Sequence, residues 1–92
     1  MLLRWTSPAV HDLTQICDFI SDRADPATAR RVAISIFESL ALLTQFPQRG
    51  RAGRKTGTRE LVFSNSPYLA IYRVKSAAVE ILRILQGAQK WP

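Results

Sequence analysis

Cysteine and histidine are almost missing: the 92 residues hold one of each, Cys17 and His11. A lone cysteine excludes an internal disulfide. One histidine and one cysteine cannot by themselves build a zinc site, so no metal or other cofactor is expected. His11 has no serine or cysteine partner at a spacing that suggests nucleophilic catalysis. Cys17 falls on an apolar helical stripe and reads as a small buried hydrophobe. No apolar run approaches the ~20 residues that span a bilayer, and Met1 to Trp5 shows no basic, apolar leader. A cytoplasmic protein without membrane contact is expected. Glycine is scarce, at four residues. Gly50, Gly53 and Gly57 share one stretch that does not join a strand to a helix, so they form no phosphate-binding P-loop.

Acidic residues are scarce in one half only. Residues 1–46 carry a net charge of −1, whereas residues 47–92 carry nine Lys or Arg against Glu60 and Glu80, a net of +7. Such asymmetry points to an anionic partner: nucleic acid, a nucleic-acid enzyme or an acidic protein segment. The plainer reading is a solvated basic surface that aids solubility.

Apolar residues make up 47% of the chain, enough for one globular domain over residues 1–92. Leu2 to Thr6 reads as a short strand. Ser7-Pro8 opens a helix, Ser7 as the cap, with Val10, Leu13, Ile16, Cys17 and Ile20 on its apolar face and Asp12 elsewhere. Asp25-Pro26 repeats that signal. The second apolar stripe, Ala29, Val32, Ala33, Ile36, Phe37, Leu40 and Leu43, predicts a helix to about Gln45, roughly 30 Å long at ~1.5 Å per residue. A basic loop from Pro47 to Gly57 follows. Thr58–Phe63, Leu69–Val74 and Val79–Leu85 then read as three antiparallel strands. The order β-α-α-β-β-β implies an α+β fold, a helical hairpin on one face of a mainly antiparallel four-stranded sheet.

Strand side chains alternate between faces, which places Val79, Ile81, Arg83 and Leu85 on one side and Glu80, Leu82, Ile84 and Gln86 on the other. Arginines inside apolar strands need partners or water. Either one face is partly open, its guanidinium groups suited to phosphate or carboxylate, or Arg59, Arg73 and Arg83 pair with Glu60 and Glu80 across strands. Catalysis is not excluded, since Lys, Arg, Glu or Tyr can serve an RNase without histidine.

A series of short motifs then carries a resemblance. Trp5-Thr6, Ala9, Asp12-Leu13, Ile16 and Phe19-Ile20 open it. Phe46-Pro47, Gly50-Arg51 and Gly57 to Leu61 continue it. Pro67-Tyr68, Ile71 to Val74, Val79 to Leu85, Gly87 to Gln89 and Trp91-Pro92 complete it. Together they resemble the RelE/ParE toxin superfamily, nearer the ParE branch. The resemblance implies a cognate antitoxin with an N-terminal DNA-binding domain, operator DNA bound only through that antitoxin, and DNA gyrase as target. The alternative it implies is a RelE-like ribosome-dependent mRNA endonuclease. RelE-type members use strand lysines, two arginines and a final tyrosine. Here Glu60 and Val62 stand at the lysines, Leu69 and Gln89 at the arginines, and no tyrosine follows. Gln86 stands where some RNase members have histidine. These departures favour inhibition by binding, with no catalytic residue. The target-binding candidates are Arg49, Arg51, Arg54, Lys55, Arg59, Arg73, Arg83, Gln86, Gln89, Lys90 and Trp91.

Overall fold

A computed structural model describes residues 1–87 and 89–92. Strand β1 (Leu2–Trp5) leads into helix α1 (Ser7–Arg23), and α2 (Pro26–Ala41) returns beside it. Strands β2 (Arg51–Ala52), β3 (Arg59–Val62), β4 (Tyr68–Lys75) and β5 (Ala78–Gln86) follow. The sheet order is β1-β5-β4-β3-β2, with β1 parallel to β5 and every other pair antiparallel. The α+β architecture is the expected one, but the sheet has five strands rather than four. The fifth comes from the basic loop, where Arg51 and Ala52 pair with Glu60 and Arg59.

Local chemistry explains the helix ends. The cap of α1 is Thr6, one residue before the serine expected to fill that role. Thr6 keeps the extended backbone of the strand it ends, and its hydroxyl accepts the Ala9 N–H at 3.3 Å. The same hydroxyl reaches the carbonyl oxygens of Ile81 at 2.9 Å and Leu82 at 3.0 Å, so the cap also fastens α1 to β5. Asp25 caps α2 as expected, accepting the Thr28 N–H at 2.7 Å, and this bond lowers its pKa. The α-helical part of α2 stops at Ala41 instead of about Gln45, and a 3-10 turn over Leu42–Thr44 tightens the end.

The main core lies between the hairpin and one sheet face. Leu13, Ile36, Leu40 and Leu43 pack there on Tyr68, Tyr72, Val79, Ile81 and Ile84. Val10 and Phe37, expected on the inner stripes, are exposed, while Asp12, expected outside, is buried at 8% exposure. Cys17 is half-buried against the core, and burial raises its pKa, as befits an unreactive thiol.

A bulge in β5 corrects the expected faces. Ile71 pairs with Arg83 but Tyr72 pairs with Ile81, leaving Leu82 as the extra residue. Ile84 therefore joins Val79 and Ile81 in the main core. Leu85 packs instead with Leu69 and Ile71 in a second cluster, flanked by Leu82 and Trp91.

The β4–β5 hairpin closes through Ser76 and Ala77, both at positive φ (53° and 58°). That geometry favours Asn-Gly, and ordinary L-residues there cost ~1–2 kcal/mol each. Ser76→Asn with Ala77→Gly should therefore raise the unfolding free energy by about 1–2 kcal/mol in total. An unchanged or lower urea midpoint would contradict this.

Candidate functional site

Three carboxylates organise the basic half. Glu60, only 3% exposed, binds two arginines from the loop. Its Oε1 accepts Arg51 Nη2 at 3.0 Å, and its Oε2 lies 3.2 Å from Arg54 Nε and accepts the Arg54 N–H at 3.3 Å. Arg54 then reaches the C-terminal segment, donating to Gln89 O at 2.7 Å and Gly87 O at 3.1 Å. This holds that segment near the second cluster, onto which Trp91 packs. The helix-free face is therefore partly covered by the chain itself.

Arg73 donates to Glu80 at 2.7 Å across the β4–β5 pair, and that hydrogen bond holds the Glu80 pKa low. This is the cross-strand Arg–Glu pairing that the sequence offered as one of two alternatives for the strand arginines. Arg83 does something unforeseen. It grips Asp12 of α1 with two bonds, Nε to Oδ2 at 2.6 Å and Nη2 to Oδ1 at 2.9 Å, which raises its own pKa. Asp12 also accepts the Ile84 N–H at 3.0 Å. Pairing of β1 with β5 ends at Trp5 and Ile81, so the β5 edge beyond it has no strand neighbour. Asp12 supplies the acceptor that a longer β1 would have supplied.

The other candidates separate. Arg59 turns away from Glu60, its neighbour in the strand, and donates to Gly50 O at 2.8 Å, which steadies the start of the loop. Arg49 sits apart, beside Phe46, Pro47 and Gln48. Lys55 joins Arg73, Arg83 and Trp91 along one groove. Gln86 and Gln89 line a crevice with Asp12, Gln15 and Tyr68, and the Gln86 N–H donates to Gln89 Oε1 at 2.8 Å. Lys90 is exposed. Among the described residues, no carboxylate lies within ion-pair distance of Arg49, Lys55, Arg59 or Lys90. The positive surplus therefore survives the internal pairing.

Asp12 and Glu60 were not among the expected site residues. A signal for Asp12 exists: Ala9, Asp12, Leu13 and Ile16 follow the 3-1-3 spacing of an inner helical face. Glu60 stands between Arg59 and Leu61, with nothing local to show that two loop arginines fold over it.

Among the described residues, no group of three or more His, Cys, Asp or Glu residues is placed to hold a metal, and no helix is long and apolar enough to cross a membrane. A family model described as the ParE toxin of the type II toxin–antitoxin system parDE matches residues 3–91. A putative toxin, Y4kP of Sinorhizobium fredii, is 40% identical over 90 residues, covering 98% of this chain and 92% of that protein. Toxin RelE2 of Caulobacter vibrioides is 38% identical, covering 92% and 93%. Among solved structures, a chain of the chromosomal ParDE toxin–antitoxin system from P. aeruginosa superposes with a TM-score of 0.88 at 33% identity, covering 94% of this chain and 95% of that one. A chain of the RelBE2 toxin–antitoxin complex from Mycobacterium tuberculosis shares the fold, with a TM-score of 0.56 at 24% identity over 92% and 95%. With its fold, its order of motifs and a family match across nearly its whole length in agreement, this chain is a type II toxin and belongs to the ParE toxin family.

Proposed function

We propose that the chain inhibits DNA gyrase by binding, cleaves no RNA, and is neutralised in the cytoplasm by a cognate antitoxin. The antitoxin would carry the DNA-binding domain through which the pair reaches its operator. One observation supports the non-catalytic reading above others. The positions that the RelE resemblance assigns to reactive basic groups hold residues that are committed or inert. Glu60 is buried beneath Arg51 and Arg54. Leu69 belongs to the second apolar cluster. Gln89 accepts a backbone N–H through its side chain. Charge stabilisation and proton transfer at a scissile phosphate need uncommitted cations and titratable groups held in place, and these residues supply none.

Purified toxin is expected to block gyrase supercoiling or to trap its DNA-cleavage complex, and added antitoxin should reverse the effect. Two relatives carry RelE names, so translated mRNA should be assayed by primer extension in parallel. Codon-phased cuts with gyrase unaffected would replace this reading with the endonuclease.

A further inference from the structure

On the helix-free face, a groove lies between the Lys55–Thr58 turn and strand β5, lined in part by Lys55, Arg73, Arg83, Leu82 and Trp91. Its cations are oriented but not exhausted. Arg73 uses only Nε on Glu80, and Arg83 uses Nε and Nη2 on Asp12. Among the described residues, no protein acceptor engages Arg73 Nη1 or Nη2, Arg83 Nη1 or the Lys55 ammonium. The turn itself is closed by the Thr58 N–H and hydroxyl donating to Lys55 O, with Gly57 at φ 85°. The backbone N–H groups of Thr56 and Gly57 take no part in that closure. An indole lines the same groove. Trp91 rests on the second apolar cluster yet keeps part of its surface exposed.

We infer that this groove binds a nucleotidyl phosphate, an aromatic base carried on a phosphate ester. Guanidinium groups pre-set by Glu80 and Asp12 lose little freedom on meeting phosphate oxygens. Lys55 adds an ammonium donor from the facing wall. A base can stack on Trp91, an interaction open to any base because each has a π face. An indole beside guanidinium donors that are still free suits a base joined to a phosphate better than a bare phosphate or a run of carboxylates. The source is either a free nucleotide or one unit of a nucleic-acid strand. The inference stands independently of the gyrase reading, because binding is measured on the toxin alone.

The test titrates the purified chain with thymidine monophosphate, a 12-residue oligothymidylate, inorganic phosphate and an oligoglutamate. Calorimetry reports affinity and tryptophan fluorescence reports place. The two thymidine ligands should quench fluorescence in the parent chain. The Trp91→Phe variant should keep the binding heat and lose the quench, which separates Trp91 from Trp5. Lys55→Gln with Arg73→Gln should weaken binding about tenfold or more, whereas Arg30→Gln with Arg31→Gln on α2 should change it little, circular dichroism confirming the fold of each. A strand ligand shows tighter binding than the monophosphate and a log–log salt slope well beyond the ~0.7 expected for one single-strand phosphate. A free-nucleotide site shows equal affinities and the shallow slope. The inference is overturned if oligoglutamate or inorganic phosphate binds as tightly as the monophosphate. It is equally overturned if the α2 pair weakens binding as much as the groove pair.

Discussion

Replacing Asp12 with alanine should lower the unfolding free energy by about 3 kcal/mol, the low end of the cost of breaking a buried ion pair. Three hydrogen bonds end on this carboxylate, two from Arg83 and one from the Ile84 N–H. The backbone donor is buried, at a sheet edge with no neighbouring strand, and would be left unsatisfied. The Arg83 side chain is 34% exposed and regains water, which is why the low end applies. A domain of this size loses ~4–8 °C of melting temperature per kcal/mol, so a fall of about 15 °C is expected. Asp12→Asn keeps one acceptor and should recover part of the loss. Asp12→Ala combined with Arg83→Met should cost less than the two single changes added together, because the second removes the cation the first strands. A loss below about 1 kcal/mol for Asp12→Ala would show that the edge finds another acceptor.

Gly50→Ala should be comparably damaging, for a steric reason. A Cβ at Gly50 would stand 2.7 Å from both Cε1 and Oη of Tyr72 and 2.8 Å from the Glu60 carbonyl oxygen. None of these atoms ends a flexible side chain. The Tyr72 ring is fully buried, its hydroxyl donates to Pro47 O at 2.7 Å and accepts the Gly50 N–H at 2.9 Å, and burial raises its pKa. Overpacking costs ~1–3 kcal/mol, and disturbing the two hydrogen bonds of the Tyr72 hydroxyl, one of them buried, adds to it, so a total near 3 kcal/mol is expected. Gly57→Ala provides the comparison. It meets no atom within 4 Å and bears only the strain of its positive φ, about 1 kcal/mol. Equal urea midpoints for the two variants would refute the steric argument.

These two positions show how far the sequence could be read. The order of elements was legible because each carries its own signal: the Asp25-Pro26 cap, the 3.6-residue stripe of α2, and the β-branched and aromatic texture after residue 58. Two-residue β2 was not, since Arg51-Ala52 between glycines looks like any basic loop. The bulge at Leu82 was not legible either. No Gly or Pro marks it, and strict alternation put Ile84 and Leu85 on the wrong faces. The candidate site suffered most. Its cations were countable, but their partners lie far away in sequence: Asp12 and Arg83 are 71 residues apart. Which arginines remain available is decided by that long-range pairing, and local pattern does not reveal it.

The parallel union of β1 with β5 also bears on how the toxin comes into being. The first strand emerges early and must wait, unpaired, while both helices and three further strands are made. The strand that finally joins it also carries Arg83 and ends at Gln86. Shortened products of interrupted translation that lack β5 thus have neither a finished sheet nor the Arg83 latch.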